Sequence, residues 1–140
     1  MQGLTLCMQP QWGGNVIGYG VGAAHGMDSA LIHHFGMAHG EAVGQLIPYV
    51  MEYNSSKCTE RMKTIADLMG VNTSGMDEWK AAFEAALAVK KFCCETGLQG
   101  IRQYRDSVEI NEIKQIAFEV RESYSVVENL VPMKEKNSTL

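Results

Sequence analysis

The sequence predicts an all-α, helical bundle-like fold, and three observations carry that prediction. Apolar residues recur at helical spacing, as in Met62, Ile65, Ala66 and Met69 at i, i+3, i+4 and i+7. Glycines fall where such stripes end, at Gly36, Gly70 and Gly97. No pair of alternating runs flanks a hairpin turn, and there is no internal repeat. With 140 residues, 46% of them hydrophobic, residues 1–133 are expected to form a single helical domain, and the polar, aperiodic KEKNSTL at 134–140 a frayed tail.

The first element is expected across Val16–Phe35 as a glycine-rich, buried helix. Glycines at 13, 14, 18, 20, 22 and 26 weaken an isolated helix but let a neighbouring helix or a ligand approach the backbone closely. Phe35-Gly36 then breaks the chain. His39-Gly40-Glu41 opens a second helix to about Glu52, kinked at Pro48 and closed by Tyr53-Asn54. Ser55 or Ser56 is the expected cap of a third helix, which carries the Met62 stripe and stops at Gly70. Asp77 caps a fourth, with Trp79, Ala82, Phe83, Ala86 and Cys93 on one face and Gly97 at its end. Ile113, Ile116, Ala117, Val120 and Tyr124 mark a last helix from about Ile110 to Ser123.

Charge and composition exclude several classes. The net charge is −4, and the twelve Lys and Arg are scattered over residues 57–136 rather than gathered in a stripe, so nucleic acid is not an expected partner. Residues 1–27 carry no Asp, Glu, Lys or Arg, yet Gln2, Gln9, Pro10, Gln11, Asn15 and His25 interrupt the stretch, which reads as buried in protein rather than in membrane. No basic n-region precedes an apolar run, as a signal peptide requires. Cys7, Cys58, Cys93 and Cys94 show no C-x-x-C spacing and read as reduced thiols of a cytoplasmic protein.

The chemistry concentrates in one place. All four histidines, His25, His33, His34 and His39, lie within residues 25–39, and no Lys or Arg precedes Lys57. Imidazole binds a divalent cation as the neutral base, so a cation-poor, water-restricted crevice favours metal ligation. His25 inside one helix and His39 at the start of the next can fold toward a common point and supply half of a tetrahedral site. Ser29 and His33 share the His25 face, and Asp28 can orient an imidazole or bind directly. A buried histidine is more often a hydrogen-bonded core group than a ligand, and spacing by itself leaves both readings open. His33 and His34 point in different directions, so at least one belongs to the surface. Glu41 reads as a first-turn acid rather than a hydrolytic base, because no H-E-x-x-H relation exists.

Residues 23–54, AAHGMDSALIHHFGMAHGEAVGQLIPYVMEYN, resemble the signature of the iron-containing (group III) alcohol dehydrogenases. That family carries H-G-M-x-H on one helix, then P-H-G, then an apolar helix ending near L-L-P-H-V-M-x-x-N. This chain has His25-Gly26-Met27, His39-Gly40, and Leu46 through Asn54 in the same order. Ile65 through Val71 is similar to the family's I-A-x-x-M-G-V helix end, and Glu112-Ile113 with Ala117 to its later E-D-I-x-x-L-A helix. The likeness runs over roughly residues 15–123.

The resemblance implies the helical, C-terminal part of a two-domain enzyme, with His25 and His39 as two of four ligands to a divalent metal, usually iron(II) and sometimes zinc. The metal polarises an alcohol or carbonyl oxygen while hydride passes to or from NAD(P). Departures qualify that picture. The family's Asp-x-x-x-His ligand pair and G-G-G-S dinucleotide loop are not in the chain, and Ser29 stands where many members place a histidine. Ala38 replaces the usual proline, and the later N-P-R segment is not reproduced around Val127–Pro132. The expected partners are therefore the missing nucleotide-binding domain or a partner chain, a small alcohol or aldehyde substrate, and a second copy in a homo-oligomer. The competing expectations are a stand-alone helical binding module without catalysis and, less favoured, a self-sufficient metal hydrolase.

Overall fold

In the computed structural model the described residues are 22–98, 100–121, Val126, Asn129 and Val131. They form five α-helices and no strand: α1 (Ala23–Phe35), α2 (His39–Asn54), α3 (Thr59–Leu68), α4 (Glu78–Glu95) and α5 (Ile110–Val120). Short 3-10 turns follow α2 at Ser55–Lys57 and precede α5 at Ile101–Gln103.

α1 begins later than its glycine-rich lead-in suggests. At Gly22 the backbone lies at φ 82° and ψ 172°, outside the helical region, so a helix unbroken from Val16 to Phe35 is excluded. Positions 16–21 themselves lie outside the described residues. The expected break after Phe35 is present: Gly36 is left-handed and its N–H donates to the Ile32 carbonyl at 2.9 Å. α2 starts with extended Ala38, whose N–H donates to Glu41 Oε2 at 3.0 Å, and runs through buried Pro48 to Asn54. The side chain of Leu98 packs so near Gly44 that a Cβ there would lie 2.6 Å from Leu98 Cδ1.

The expected serine cap of the third helix is replaced by a continuation of α2. Ser55–Lys57 wind into a 3-10 turn, the Ser55 hydroxyl donates back to the Glu52 carbonyl at 2.7 Å, and α3 starts after Cys58 with no side-chain cap. A serine hydroxyl that finds the preceding turn's carbonyl extends the earlier helix instead of opening the next. Asp77 does cap α4, its Oδ1 accepting the Lys80 N–H at 2.9 Å.

α3 and α4 stop alike. Gly70 (φ 83°) and Gly97 (φ 99°) take the left-handed conformation, with paired bonds from Val71 N to Ala66 O and Gly70 N to Asp67 O, and from Leu98 N to Cys93 O and Gly97 N to Cys94 O. This is the Schellman arrangement, which satisfies carbonyls left open at a helix end and costs a β-carbon residue strain.

α2 serves two small cores. Ala30 and Phe35 of α1, Met37, Ala42 of α2, and Ile116 and Val120 of α5 form one cluster. Met62 and Ala66 of α3 with Ala82 and Ala85 of α4 form the other, flanked by Met51 of α2. The buried face of α4 is Ala81, Ala82, Ala85 and Ala86; of the expected face Ala82 and Ala86 are buried, but its aromatic residues are not. Trp79 is 60% exposed, Phe83 is 45% exposed and Cys93 is half-buried. Small side chains at i, i+1, i+4 and i+5 let α4 approach α3 closely, and the bulky residues are turned outward. On α5 the stripe is Ile116 and Val120, buried, with Ile113 partly buried against the same cluster and Ala117 exposed; Tyr124 and positions 122–123 lie outside the described residues. No helix among the described residues is long and apolar enough to cross a membrane.

Candidate metal centre

α1 and α2 bring His25 and His39 together. His25 sits in the first turn of α1 and His39 is the first residue of α2, and their ring centroids are 5.3 Å apart with planes inclined at 54°. Asp28, one turn beyond His25, is buried at 5% exposure and places Oδ2 2.7 Å from Nδ1 of His39. The carboxylate thus serves the histidine of the other helix. A carboxylate at Nδ1 selects the tautomer protonated there, which leaves Nε2 with its lone pair facing away from Asp28.

The setting differs from the enclosed crevice that the charge-poor sequence suggests. Asp28 occupies the buried position, and the His39 side chain above it is 62% exposed, so the pair lies on an open face of the described residues. His25 is half-buried. Ser29 and His33 are exposed. His34 is committed elsewhere: its Nε2 lies 2.8 Å from Glu119 Oε2 and ties α1 to α5. The hydrogen bond to His34 holds the Glu119 carboxyl below its ordinary 4.5, against the opposing effect of burial and with smaller help from the charge of His34, from Gln115 and from the charge of His33. Glu41 is occupied as well. Its carboxyl is held low by the facing Tyr104 hydroxyl, which makes no bond of full hydrogen-bond geometry, and by the Ala38 N–H.

The separation of the two rings is compatible with two ligands of one cation. Imidazole nitrogens bound at roughly 2.0–2.1 Å in a tetrahedral sphere put their ring centroids about 5 Å apart, close to the separation found. Among the described residues no group of three or more His, Cys, Asp and Glu converges that could hold a metal ion. A groove of about 430 Å³ between the end of α3 and α4, lined by Met69, Val71, Leu87 and Phe92 among others, shares no residue with the histidines.

Sequence reasoning missed a polar cluster at the other end of α2. Asn129, 6% exposed, donates from Nδ2 to Asn54 Oδ1 at 2.7 Å and to the Val131 carbonyl at 2.8 Å. Its Oδ1 accepts from Asn54 Nδ2 at 3.0 Å and from the Ala23 N–H at 3.4 Å. A residue separation of 75 leaves no periodic signal by which such a pair could be found.

Comparison with known proteins agrees with this architecture. The family model described as Fe-containing alcohol dehydrogenase family, C-terminal, matches residues 13–138, and the chain belongs to that family. Long-chain-alcohol dehydrogenase 1 of Geobacillus thermodenitrificans (strain NG80-2) is 34% identical over 79 residues, 56% of this chain and 20% of that protein. Lactaldehyde reductase of Escherichia coli (strain K12) is 37% identical over 75 residues, 51% of this chain and 20% of that protein. 1,3-Propanediol dehydrogenase of Klebsiella pneumoniae is 33% identical over 78 residues, again 20% of its length. The match therefore spans about a fifth of each relative. No solved structure matches the chain significantly.

Proposed function

We propose that this chain supplies the helical half of the metal centre of an NAD(P)-linked, iron-type alcohol dehydrogenase, with His25 and His39 as two of the protein ligands. The observation that carries the reading is the 5.3 Å approach of the two rings together with the Asp28 carboxylate on Nδ1 of His39. A carboxylate behind a histidine is the usual device for fixing a ligating ring and raising its basicity. The bound cation, iron(II) or zinc, supplies Lewis-acid polarisation of an alcohol or carbonyl oxygen. His25 and His39 hold it from one side. Asp28 fixes the ring and tautomer of His39, and Ser29 brings no group that titrates near neutrality to the same face. The remaining ligands and the nucleotide site come from residues outside this chain, on a nucleotide-binding domain or a partner chain, so these 140 residues are expected not to turn over substrate alone. The relatives' names cover long-chain alcohol, lactaldehyde and 1,3-propanediol, and the shared alcohol/aldehyde chemistry is the class proposed here.

The test is metal content of the 140-residue chain after zinc or iron(II) loading, for the unmodified protein and for His25→Ala and His39→Ala. Loss of bound metal in both variants supports the reading. Unchanged content in both overturns it and favours a helical interaction module, for which the outward-facing Trp79, Phe83 and Phe92 of α4 are the available anchors. Turnover of a short aldehyde with NADH by the isolated chain would overturn the statement that half the site lies elsewhere.

A further inference from the structure

We infer that Asn129 is a positioning residue for the histidine pair, acting through Asn54 and the first turn of α1. The inference rests on the metal reading above and extends it to residues at the opposite end of α2.

Asn129 is nearly fully buried, and all of its hydrogen-bonding capacity is used. Two donors meet Asn54 Oδ1 and the Val131 carbonyl; the acceptor meets Asn54 Nδ2 and Ala23 N–H. Asn54 Oδ1 also accepts the Val131 N–H at 3.3 Å. The buried Asn129 amide, with its donors and acceptor all engaged, favours one arrangement, because displacing it leaves a desolvated polar group unpaired. That arrangement joins three pieces of chain: the last residue of α2, the first residue of α1, and the segment containing Asn129 and Val131.

Ala23 is two residues before His25, and the N-cap position, Gly22, has no side chain with which to cap α1. Gly22, with its left-handed φ, offers the helix start little restraint of its own. The Asn129 amide oxygen, 3.4 Å from the Ala23 N–H, thus ties the start of this turn to the end of α2, whose other end carries His39. His39 has its own anchor in Asp28; among the described residues the His25 ring meets no carboxylate of that kind, and its direction follows from the first turn of α1. A shift of that turn acts on His25 directly and on His39 only through Asp28, one turn further along α1.

The experiment uses the 140-residue chain, with Asn129→Asp, Asn129→Leu and Asn54→Asp compared with Thr73→Val. Thr73, 3% exposed, donates to Asp67 Oδ1 at 2.6 Å far from the histidines, so its variant reports the general cost of losing a buried hydrogen bond. Two readouts are taken on folded protein: the cross-relaxation between His25 and His39 ring protons without metal, and the affinity for Co²⁺ followed by its visible absorption. Asn129→Asp keeps the size and an acceptor but loses both donors. It is expected to weaken the ring-to-ring signal and to lower Co²⁺ affinity roughly tenfold, the usual cost of losing an outer contact of a ligating histidine. Thr73→Val is expected to leave both unchanged. If Asn129→Leu does not fold, Asn129→Asp and Asn54→Asp carry the comparison. An unchanged ring-to-ring signal in Asn129→Asp overturns the positioning role. Failure of the metal reading is distinguishable: the ring signal then responds to Asn129, while Co²⁺ binding is indifferent to His25→Ala.

Discussion

Replacement of Asp28 separates a role at the histidines from a role in holding the fold. The Asp28 side chain is 8% exposed and that of its partner His39 62% exposed, with Oδ2 2.7 Å from Nδ1. Two consequences oppose each other in the free protein. A hydrogen bond to a charged group contributes about 1.5–3 kcal/mol, and the exposure of His39 places this one near the low end. Burying a carboxylate costs several kcal/mol, which Asp28→Ala recovers in part. The net change in unfolding free energy is expected to stay within about 1.5 kcal/mol. Metal affinity has no such offset, because the carboxylate both orients the ring and favours its metal-binding tautomer; Asp28→Ala is expected to weaken zinc binding by about 10- to 100-fold. Asp28→Asn, whose amide oxygen still accepts from Nδ1, loses less. Urea unfolding of the free chain and competition titration with a chromophoric zinc chelator measure the two quantities. Zinc binding unchanged in Asp28→Ala, with unfolding free energy lowered by more than about 3 kcal/mol, would show Asp28 to be a structural core acid and refute the reasoning.

Three further outcomes are expected. The folded Glu119 carboxyl titrates below its ordinary 4.5, so its contribution to holding α5 on α1 is present above that pH and is lost as pH falls through the lower folded value. Glu119→Gln should flatten this acid limb in pH-dependent thermal melts. Asp77→Ala removes the bond to Lys80 N–H and should lower unfolding free energy by about 1 kcal/mol in urea. Ala85→Leu, at a position with no exposure between α3 and α4, should cost about 1–3 kcal/mol by overpacking, whereas Trp79→Ala on the outward face should change stability by no more than about 0.5 kcal/mol; comparable losses in both would contradict the buried alanine face.

The elements read most directly from sequence are those fixed by local chemistry. Asp77 caps α4 through a bond three residues away, and Gly70 and Gly97 end helices because β-carbon residues avoid the left-handed conformation. The histidine pair was legible for a related reason: the His25-Gly26-Met27 and His39-Gly40 pattern carries the family's spacing, and the folded chain brings those rings together. Ser55 misled because a hydroxyl can serve the helix behind it as well as the one ahead, and the choice is made by neighbouring turns. On α4 the sequence placed Ala82 and Ala86 correctly but added Trp79 and Phe83, because hydrophobicity by size favours them while packing on α3 favours what can come close.

The sequence by itself determined the helical class, the ends of α3 and α4 and the two histidines to watch, since each depends on residues within a few positions of one another. Only the tertiary structure decided that Asp28 serves His39 rather than His25, that His34 is drawn away to Glu119, and that Asn129 closes on Asn54 and Ala23. Those pairings join different helices or distant segments, and which polar groups meet there is set by how the alanine-lined faces let the helices approach, a property of the packed whole rather than of any window of sequence.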